Sequence, residues 1–456
     1  MDAFDFVIIG AGAAGEAAAA EARARGAGVA IVERELFGGS CPFWACMPSK
    51  TLLHDARLHA LGGDPSWRAA SDRRDYMISR EGTEFPDDSG HVRELEAAGS
   101  VAIRGTARLD GPGVVRVALD AGGERVLRAR HVILAVGSQP KLPDLPGLAD
   151  AEPWTNREAT STRELPASVI ILGGGATGVE LAQLFAWYGV ATTLVHPRPR
   201  VLDREHPRTA DAVAGGLQRA GVTLRLGVRA TRVLPRAGDA GTHRLELSDG
   251  SHVDAERLIV AVGRVTPFDG LGLDTVGATL DERGHLVPDD RLRVAPEVYV
   301  VGDPVAPVLQ THVSDYQGTL AVRIALGEDF RFDGRAIPRA IFTDPETGSV
   351  GITLEDAEAQ GLDAFEEVQD LAKTARGYVS DAGGHVTVVV ERGSGRLLGA
   401  FLAGPGASEA VHEAVLAIRA GVPVGVLADT IHAFPTTARV LGTAFIKAAA
   451  RLGRGD

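Results

Sequence analysis

The chain contains two turns of the form Gly-x-Gly-x-x-Gly: Gly10-Ala11-Gly12-Ala13-Ala14-Gly15 and Gly173-Gly174-Gly175-Ala176-Thr177-Gly178. Each follows an apolar run and opens a helical stretch. Phe4 to Ile9 reads as a strand before the first turn, with a helix to about Arg25; Ser168 to Leu172 precedes the second, with a helix to about Tyr188. The first glycine of such a turn permits the tight bend, the second lets backbone approach a pyrophosphate, and the third allows close helix–strand packing. The helix N-terminus adds amide donors and positive potential. A second short apolar strand follows each helix, Val29 to Val32 and Ala191 to Val195. A lone glycine turn is weak evidence. Strand, turn, helix and strand in that order, twice, predict an α/β fold with two Rossmann-like dinucleotide-binding domains.

The ends of the second strands differ. The first ends in Glu33, which can accept ribose hydroxyls, and this unit suits FAD. The other ends in His196-Pro197-Arg198-Pro199-Arg200, where arginines can pair with a 2′-phosphate that an acid would repel. The second unit therefore reads as the NADPH site, with a solvated basic loop as the plainer alternative. His131 to Gly137 and Leu258 to Arg264 are matching apolar runs closing each unit, and Gly137 and Gly263 are assigned to the FAD and NADP sites respectively. A further strand, Val298 to Val301, ends in Gly302-Asp303, where Asp303 is placed to accept hydroxyls of a ribityl chain or is an ordinary turn aspartate.

At 456 residues the chain exceeds one ordinary core. The expected organisation is a FAD-binding domain in two parts, 1–150 and 266–336, with the NADP unit inserted as 151–265 and an α+β block at 337–456. That block has strand-like runs such as Val386 to Val390, a helix near Ala407 to Ala420, and no glycine fingerprint, so it fits an oligomer interface. The charged, Gly-rich stretch 55–125 reads as helices and a small antiparallel sheet.

A net charge of −13 without an extended Lys/Arg cluster argues against nucleic acid or an anionic membrane surface as partner. No uncharged apolar stretch is long enough to span a bilayer. The acidic start, Met1-Asp2-Ala3-Phe4-Asp5, is unlike a secretory signal. A reducing, cytoplasmic setting is expected, because two cysteines make no disulfide framework.

Those two cysteines lie together in Gly38-Gly39-Ser40-Cys41-Pro42-Phe43-Trp44-Ala45-Cys46-Met47-Pro48-Ser49-Lys50. A pair at this spacing at the start of a helix can close into a disulfide, and the helix end favours a thiolate in the reduced form. A buried structural pair is the plainer alternative. Placement just after a dinucleotide fingerprint favours redox chemistry.

Together these segments resemble the class I pyridine nucleotide–disulfide oxidoreductases, the family of dihydrolipoamide dehydrogenase, glutathione reductase and mercuric reductase. Thr343-Asp344-Pro345-Glu346 with Ser349-Val350-Gly351 is similar to the start of that family's dimerisation domain. The resemblance spans essentially the whole chain. It implies a homodimer with a shared active site, and electrons passing from NADPH through FAD to the cysteines. It makes Cys46 the thiol beside the flavin, Cys41 the thiol that meets substrate, and Lys50 the partner of Glu180 near flavin N5. A buried cation there stabilises a reduced, anionic flavin; surface ion pairs elsewhere are the alternative for both residues.

The chain departs from the family in one place. Family members carry His-Pro-Thr-x-x-Glu near the C terminus, whose histidine protonates the leaving thiol. Here the stretch is His432-Ala433-Phe434-Pro435-Thr436-Thr437-Ala438-Arg439, so Phe434 and Arg439 replace the acid–base pair. Loss of a positioned acid–base costs about 10²–10⁴-fold in such a step. His432 is a candidate substitute, and Phe43, Trp44 and Phe434 form either an apolar pocket or plain packing. One branch, 2-ketopropyl-coenzyme M oxidoreductase/carboxylase, is similar at Gly38–Pro42, Ala45 and Phe434, but Glu16, Phe43 and Lys50 differ from it. Mercuric reductase uses a further C-terminal cysteine pair, which this chain lacks. The leading expectation is an FAD- and NADPH-dependent oxidoreductase acting on an unidentified small molecule. Reductive C–S cleavage coupled to carboxylation and a flavin-binding redox sensor are the alternatives.

Overall fold

The computed structural model describes residues 2–79, 85–238 and 241–454. Residues 1, 80–84, 239–240 and 455–456 of the expected segments lie outside the described residues. The chain forms two compact units. The first comprises Met1–Thr51, Ser71–Lys141 and Arg264–Asp333; the second comprises Leu52–Ala70, Leu142–Gly263 and Gly334–Asp456.

The first unit is built on a parallel sheet. Asp2–Ile9 lies between Val29–Glu33 and Glu124–Leu134; the former pairs onward with Val101–Leu109 and the latter with Val298–Val300. Successive side chains of a strand point to opposite faces, and Asp2–Ile9 uses both. Phe6 and Ile8 are buried with Ala14, Ala18 and Ala22 of helix Ala13–Ala24 and Leu320 and Ile324 of helix Thr311–Ala325. Val7 and Ile9 are buried on the other face with Ile103, Val115 and Val117. Each such aliphatic or aromatic side chain contributes roughly 1.5–3 kcal/mol on full burial. The long strands Val101–Leu109 and Glu124–Leu134 run out of the parallel sheet into an antiparallel meander with Val114–Leu119. Helices Ala13–Ala24 and Thr311–Ala325 approach so closely that a Cβ on Gly318 would lie 2.2 Å from the Ala14 carbonyl oxygen. That contact fixes the start of the second helix, which carries Thr311.

The second unit repeats the parallel motif in the order Arg257–Val260, Ser168–Leu172, Ala191–His196, Thr223–Leu226. An antiparallel meander of Ala230–Leu234, His243–Leu247 and His252–Ala255 accompanies it. The C-terminal block is a five-stranded antiparallel sheet in the order Arg339–Ile341, Thr347–Gly351, Leu397–Ala403, His385–Glu391, Ala364–Asp370. Helix Thr437–Arg454 presents Val440, Leu441, Ala444, Phe445 and Ala448 at helical spacing, and this stripe is buried with Val386, Val388 and Leu402 of the sheet. Leu52, Leu53, Ala56 and Trp67 are buried with Val179 and Phe185, which places Leu52–Ala70 with this unit. No helix among the described residues is long and apolar enough to cross a membrane. The architecture is the expected α/β one, with Rossmann-like sheets and an α+β C-terminal domain.

Candidate active site

The first glycine turn is a cradle that side chains would fill. Gly10 has φ +101°, and a Cβ there would meet the Ala135 carbonyl oxygen at 2.3 Å. A Cβ on Gly15 would lie 1.9 Å from the Gly10 carbonyl oxygen, which is the helix–strand contact the sequence implied. Gly12 is the extended residue capping helix Ala13–Ala24. Glu33 reaches back under the turn: its Oε2 accepts the Ala11 amide at 2.8 Å and its Oε1 the Glu35 amide at 2.7 Å. Gly137, at φ +62°, follows the end of Glu124–Leu134. Asp303 accepts a hydrogen bond from Ser138, and Arg264 Nε lies 3.5 Å from its carboxylate while donating to the Ser138 hydroxyl at 2.6 Å. The bare backbone of the turn and the carboxylates at two strand ends fit a dinucleotide such as FAD.

The redox segment is clamped to this cradle. The Gly38 amide donates to the Ala11 carbonyl at 2.7 Å. A Cβ on Gly39 would strike the Gly12 Cα at 2.7 Å. The two cysteines lie at the starts of two successive helices. Ser40–Trp44 is a short helix, Ala45 breaks the geometry with φ −128° and ψ −97°, and Cys46 begins the long helix Cys46–Ala60. Pro42 and Pro48 each sit in a first turn, where the missing N–H is not needed.

Both cysteines are half-buried. Cys46 Sγ lies 3.1 Å from Thr311 Oγ1, at the start of the helix that Gly318 holds in place. The Cys41 thiol is pushed well above its ordinary range by its hydrogen bond to Cys46, by burial and by the negative charge of Cys46; Thr311 opposes this and Asp315 adds to it. Cys41 therefore holds its proton more tightly than an ordinary thiol. Phe43 is 1% exposed and its ring packs at 6.4 Å from Trp44 and 5.8 Å from His91, so it is core rather than pocket lining. Lys50 lies one turn beyond Cys46 on the same helix.

A pair that the sequence did not flag stands beside this segment. His91 Nδ1, on helix Ser89–Ala97, donates to Glu16 Oε1 at 2.9 Å, and Glu16 raises the imidazole's affinity for its proton above the ordinary value despite burial. The two residues are 75 positions apart, beyond the reach of any local pattern.

The second unit holds the other glycine turn. Gly173 has φ +114° and a Cβ there would meet the Ala261 carbonyl oxygen at 2.2 Å; one on Gly178 would lie 1.9 Å from the Gly173 oxygen. Gly175 caps helix Ala176–Trp187. His196 occupies the strand-end position that Glu33 holds in the first unit, and its Nδ1 accepts the Gly174 amide at 3.1 Å. Burial lowers the proton affinity of this imidazole, which suits an acceptor inside the turn. Arg198 and Arg200 are exposed, with Asp203 at 3.7 Å and Asp211 at 3.3 Å respectively. Gly263, at φ +124°, follows Arg257–Val260. Glu180 is buried and accepts the Phe342 amide at 3.0 Å.

At the C-terminal stretch, Phe434 is 73% exposed on the single chain and neighbouring Ile431 is 97% exposed. Arg439 lies in the first turn of helix Thr437–Arg454, its amide donating to Thr436 Oγ1 at 3.1 Å. His432 is committed elsewhere. Its Nδ1 faces the Thr430 carbonyl at 2.9 Å and its Nε2 faces both oxygens of Glu413 at 3.0 Å. With both ring nitrogens occupied, it has none left for substrate.

Comparison with known proteins agrees with this geometry. Residues 4–318 match the model for pyridine nucleotide-disulphide oxidoreductases and residues 337–445 match the dimerisation domain of that family. The chain is 32% identical to a dihydrolipoyl dehydrogenase of Chlorobaculum tepidum over 99% of its length and 98% of that protein's. It is 35% identical to a mercuric reductase of Streptomyces lividans, covering 96% of this chain and 94% of that one. Among solved structures, the Cu(II) complex of the HOCl-induced flavoprotein disulfide reductase RclA from Escherichia coli superposes with a TM-score of 0.86 at 26% identity, over 98% of this chain and all of that one. LpdA from Mycobacterium tuberculosis gives 0.87 at 25% identity, over 98% and 99%. Glycine cradles, adjacent thiols and a C-terminal dimerisation domain are thus one connected set, and the chain belongs to the pyridine nucleotide–disulphide oxidoreductases, an enzyme family that depends on FAD and uses NAD(P)H.

Proposed function

We propose that this enzyme is an NADPH-dependent disulfide oxidoreductase in which Cys41 and Cys46 carry electrons to a small-molecule acceptor without the usual C-terminal His/Glu pair. The observation that carries the reading is the hydrogen-bonded Cys41–Cys46 pair, with Cys46 Sγ 3.1 Å from Thr311 Oγ1. When bound, FAD supplies two-electron transfer between a pyridine nucleotide and a sulfur couple. Gly10, Gly12, Gly15, Glu33, Gly137 and Asp303 are the residues proposed to hold it. Gly173, Gly175, Gly178, His196, Arg198, Arg200 and Gly263 are proposed for NADPH.

Each sulfur has its own part. Cys46, with its sulfur 3.1 Å from Thr311 Oγ1, is the one proposed to face the flavin; Cys41, whose proton is held more tightly, meets the acceptor. The exposed Arg198 and Arg200 support NADPH over NADH, and the neutral imidazole of His196 fastens the turn without repelling a 2′-phosphate. The bare side chains of Phe434 and Ile431 support a second copy of the chain covering this stretch, so that Phe434 and Arg439 complete the partner's site as phenyl and guanidinium. Mercuric ion reduction is not proposed, since Cys41 and Cys46 are the only cysteines. A cytoplasmic setting suits a sulfur couple that must be re-reduced.

The test is anaerobic titration of the FAD-loaded protein with NADPH and with NADH. NADPH should bleach the flavin with the lower half-saturation, and a long-wavelength absorbance band should follow that Cys46→Ser abolishes and Cys41→Ser retains. Protein that neither holds FAD nor bleaches, or a Cys46→Ser variant that keeps the band, would refute the proposal.

A further inference from the structure

We propose that His91, oriented by Glu16, is the acid–base group for exchange at Cys41, replacing within one chain the pair lost at Phe434 and Arg439. This rests on the reading that disulfides exchange at Cys41. The geometry follows the logic of a nucleophile, an imidazole and an orienting carboxylate. Glu16 Oε1 holds Nδ1 at 2.9 Å. The opposite edge of the ring is turned to the redox segment: a Cβ on Gly38 would lie 2.7 Å from both Nε2 and Cε1. Gly38 is three residues ahead of Cys41, and Phe43, whose ring packs 5.8 Å from the imidazole, is two residues after it. The ring thus packs against residues that precede and follow Cys41 in the chain. The side chains of His91 and Glu16 keep 31% and 27% of their surface.

The chemistry balances without an added reagent. Cys41 as a thiol is a poor nucleophile, because the thiolate is the attacking form. The imidazole of His91 takes the Cys41 proton as its sulfur attacks a substrate disulfide. A Cys41–substrate disulfide forms, and the imidazolium returns the proton to the departing sulfur, which leaves as a thiol. Cys46 then attacks Cys41 Sγ, closing Cys41–Cys46 and expelling the second substrate sulfur, which takes its proton from solvent. The cysteine pair is oxidised by two electrons and the substrate is reduced by two. The charged groups around His91 are Glu16 from helix Ala13–Ala24, Asp88 and Glu94 from its own helix and cap, and, next to Glu16, Asp315 with His312 from helix Thr311–Ala325. Asp88 is tied to Arg104 at 2.6 Å. Phe43 and Gly38 contribute no charge.

Two probes separate proton supply from general damage. The aryl disulfide 5,5′-dithiobis(2-nitrobenzoate) releases a stable thiolate that needs no proton, whereas 2-hydroxyethyl disulfide releases a basic thiolate that does. In His91→Gln holoenzyme, turnover of both disulfides should fall because Cys41 loses its base, and the alkyl disulfide, which also loses its proton donor, should fall further, by about 10²–10⁴-fold, with NADPH bleaching of the flavin within about threefold of wild type. Glu16→Gln should move the alkaline limb of the alkyl-disulfide profile to lower pH. A second measurement needs no pyridine nucleotide: iodoacetamide alkylation of Cys41 in dithiothreitol-reduced protein against pH. Wild type should show an inflection that His91→Gln removes. Coincident alkylation profiles, or undiminished turnover of both disulfides, would overturn the role of His91 even if the flavin bleaches normally. Failure to bleach, with the inflection present, would instead count against the electron path and leave His91 standing.

Discussion

At the scale of single residues, proton control is divided among groups that sequence alone does not connect. The substitution of Phe434 and Arg439 at the usual acid–base positions is plain in the sequence, and so is His432 as a candidate replacement. Its engagement is not, because Glu413 is 19 residues away, on helix Ala407–Ala420. The pairing of Glu16 with His91 is hidden for the same reason. We expect His432→Ala to behave as a structural loss. Glu413 would be left without its partner at a site where the histidine side chain is only 5% exposed, and such an unmet group costs about 1–3 kcal/mol. Urea unfolding should show that loss, while flavin bleaching by NADPH is unchanged. A specific collapse of disulfide turnover with normal stability would return His432 to the chemistry.

At the scale of elements, the glycine turns were the most legible part of the chain because every determinant is local: apolar run, bend, small residues, helix. Strand Ser168–Leu172 and helix Ala407–Ala420 have the limits expected from sequence. The break at Ala45 was not legible, since a Pro in the first turn of either helix is compatible with one helix or two. Gly15 and Gly178 are the positions with least tolerance, each placing a Cβ 1.9 Å from a carbonyl oxygen of its own turn. Gly15→Ala should purify with less than about a tenth of its FAD, and Gly178→Ala should raise the NADPH half-saturation about tenfold or more while keeping FAD. Each ratio is an order-of-magnitude figure for roughly 1–3 kcal/mol of overpacking. Absorbance ratios of the purified variants and NADPH titrations measure both, and unchanged FAD content in Gly15→Ala would contradict the tight fit.

For the whole molecule, the second unit contains a buried histidine arrangement that couples stability to acid. His385 Nε2 lies 3.1 Å from Thr209 Oγ1 and its Nδ1 2.9 Å from Thr387 Oγ1, so helix Pro207–Arg219 and strand His385–Glu391 are joined through one ring. Burial, then the charges of His206 and Arg208, depresses its pKa to about 3 from an ordinary 6.5. The unfolded chain therefore binds a proton that the folded chain refuses. Stability is full above the ordinary value and declines as pH falls below it, by up to about 1.4 kcal/mol per pH unit. Denaturant unfolding between pH 7 and 4 should show a slope that His385→Gln reduces; an unchanged slope would assign the acid sensitivity to other groups. This connection joins residues 176 positions apart, so only the folded chain reveals it.

The two strand ends at Glu33 and His196 carry a wider consequence. Each grips the amide of the residue just after the first glycine of its turn, one with a carboxylate and the other with an imidazole. Anchoring the phosphate-facing bend and announcing a charge to the sugar beyond it are therefore separable duties of one position. The charge shown at a strand end can therefore differ between the two turns while the amide grip on the bend is kept.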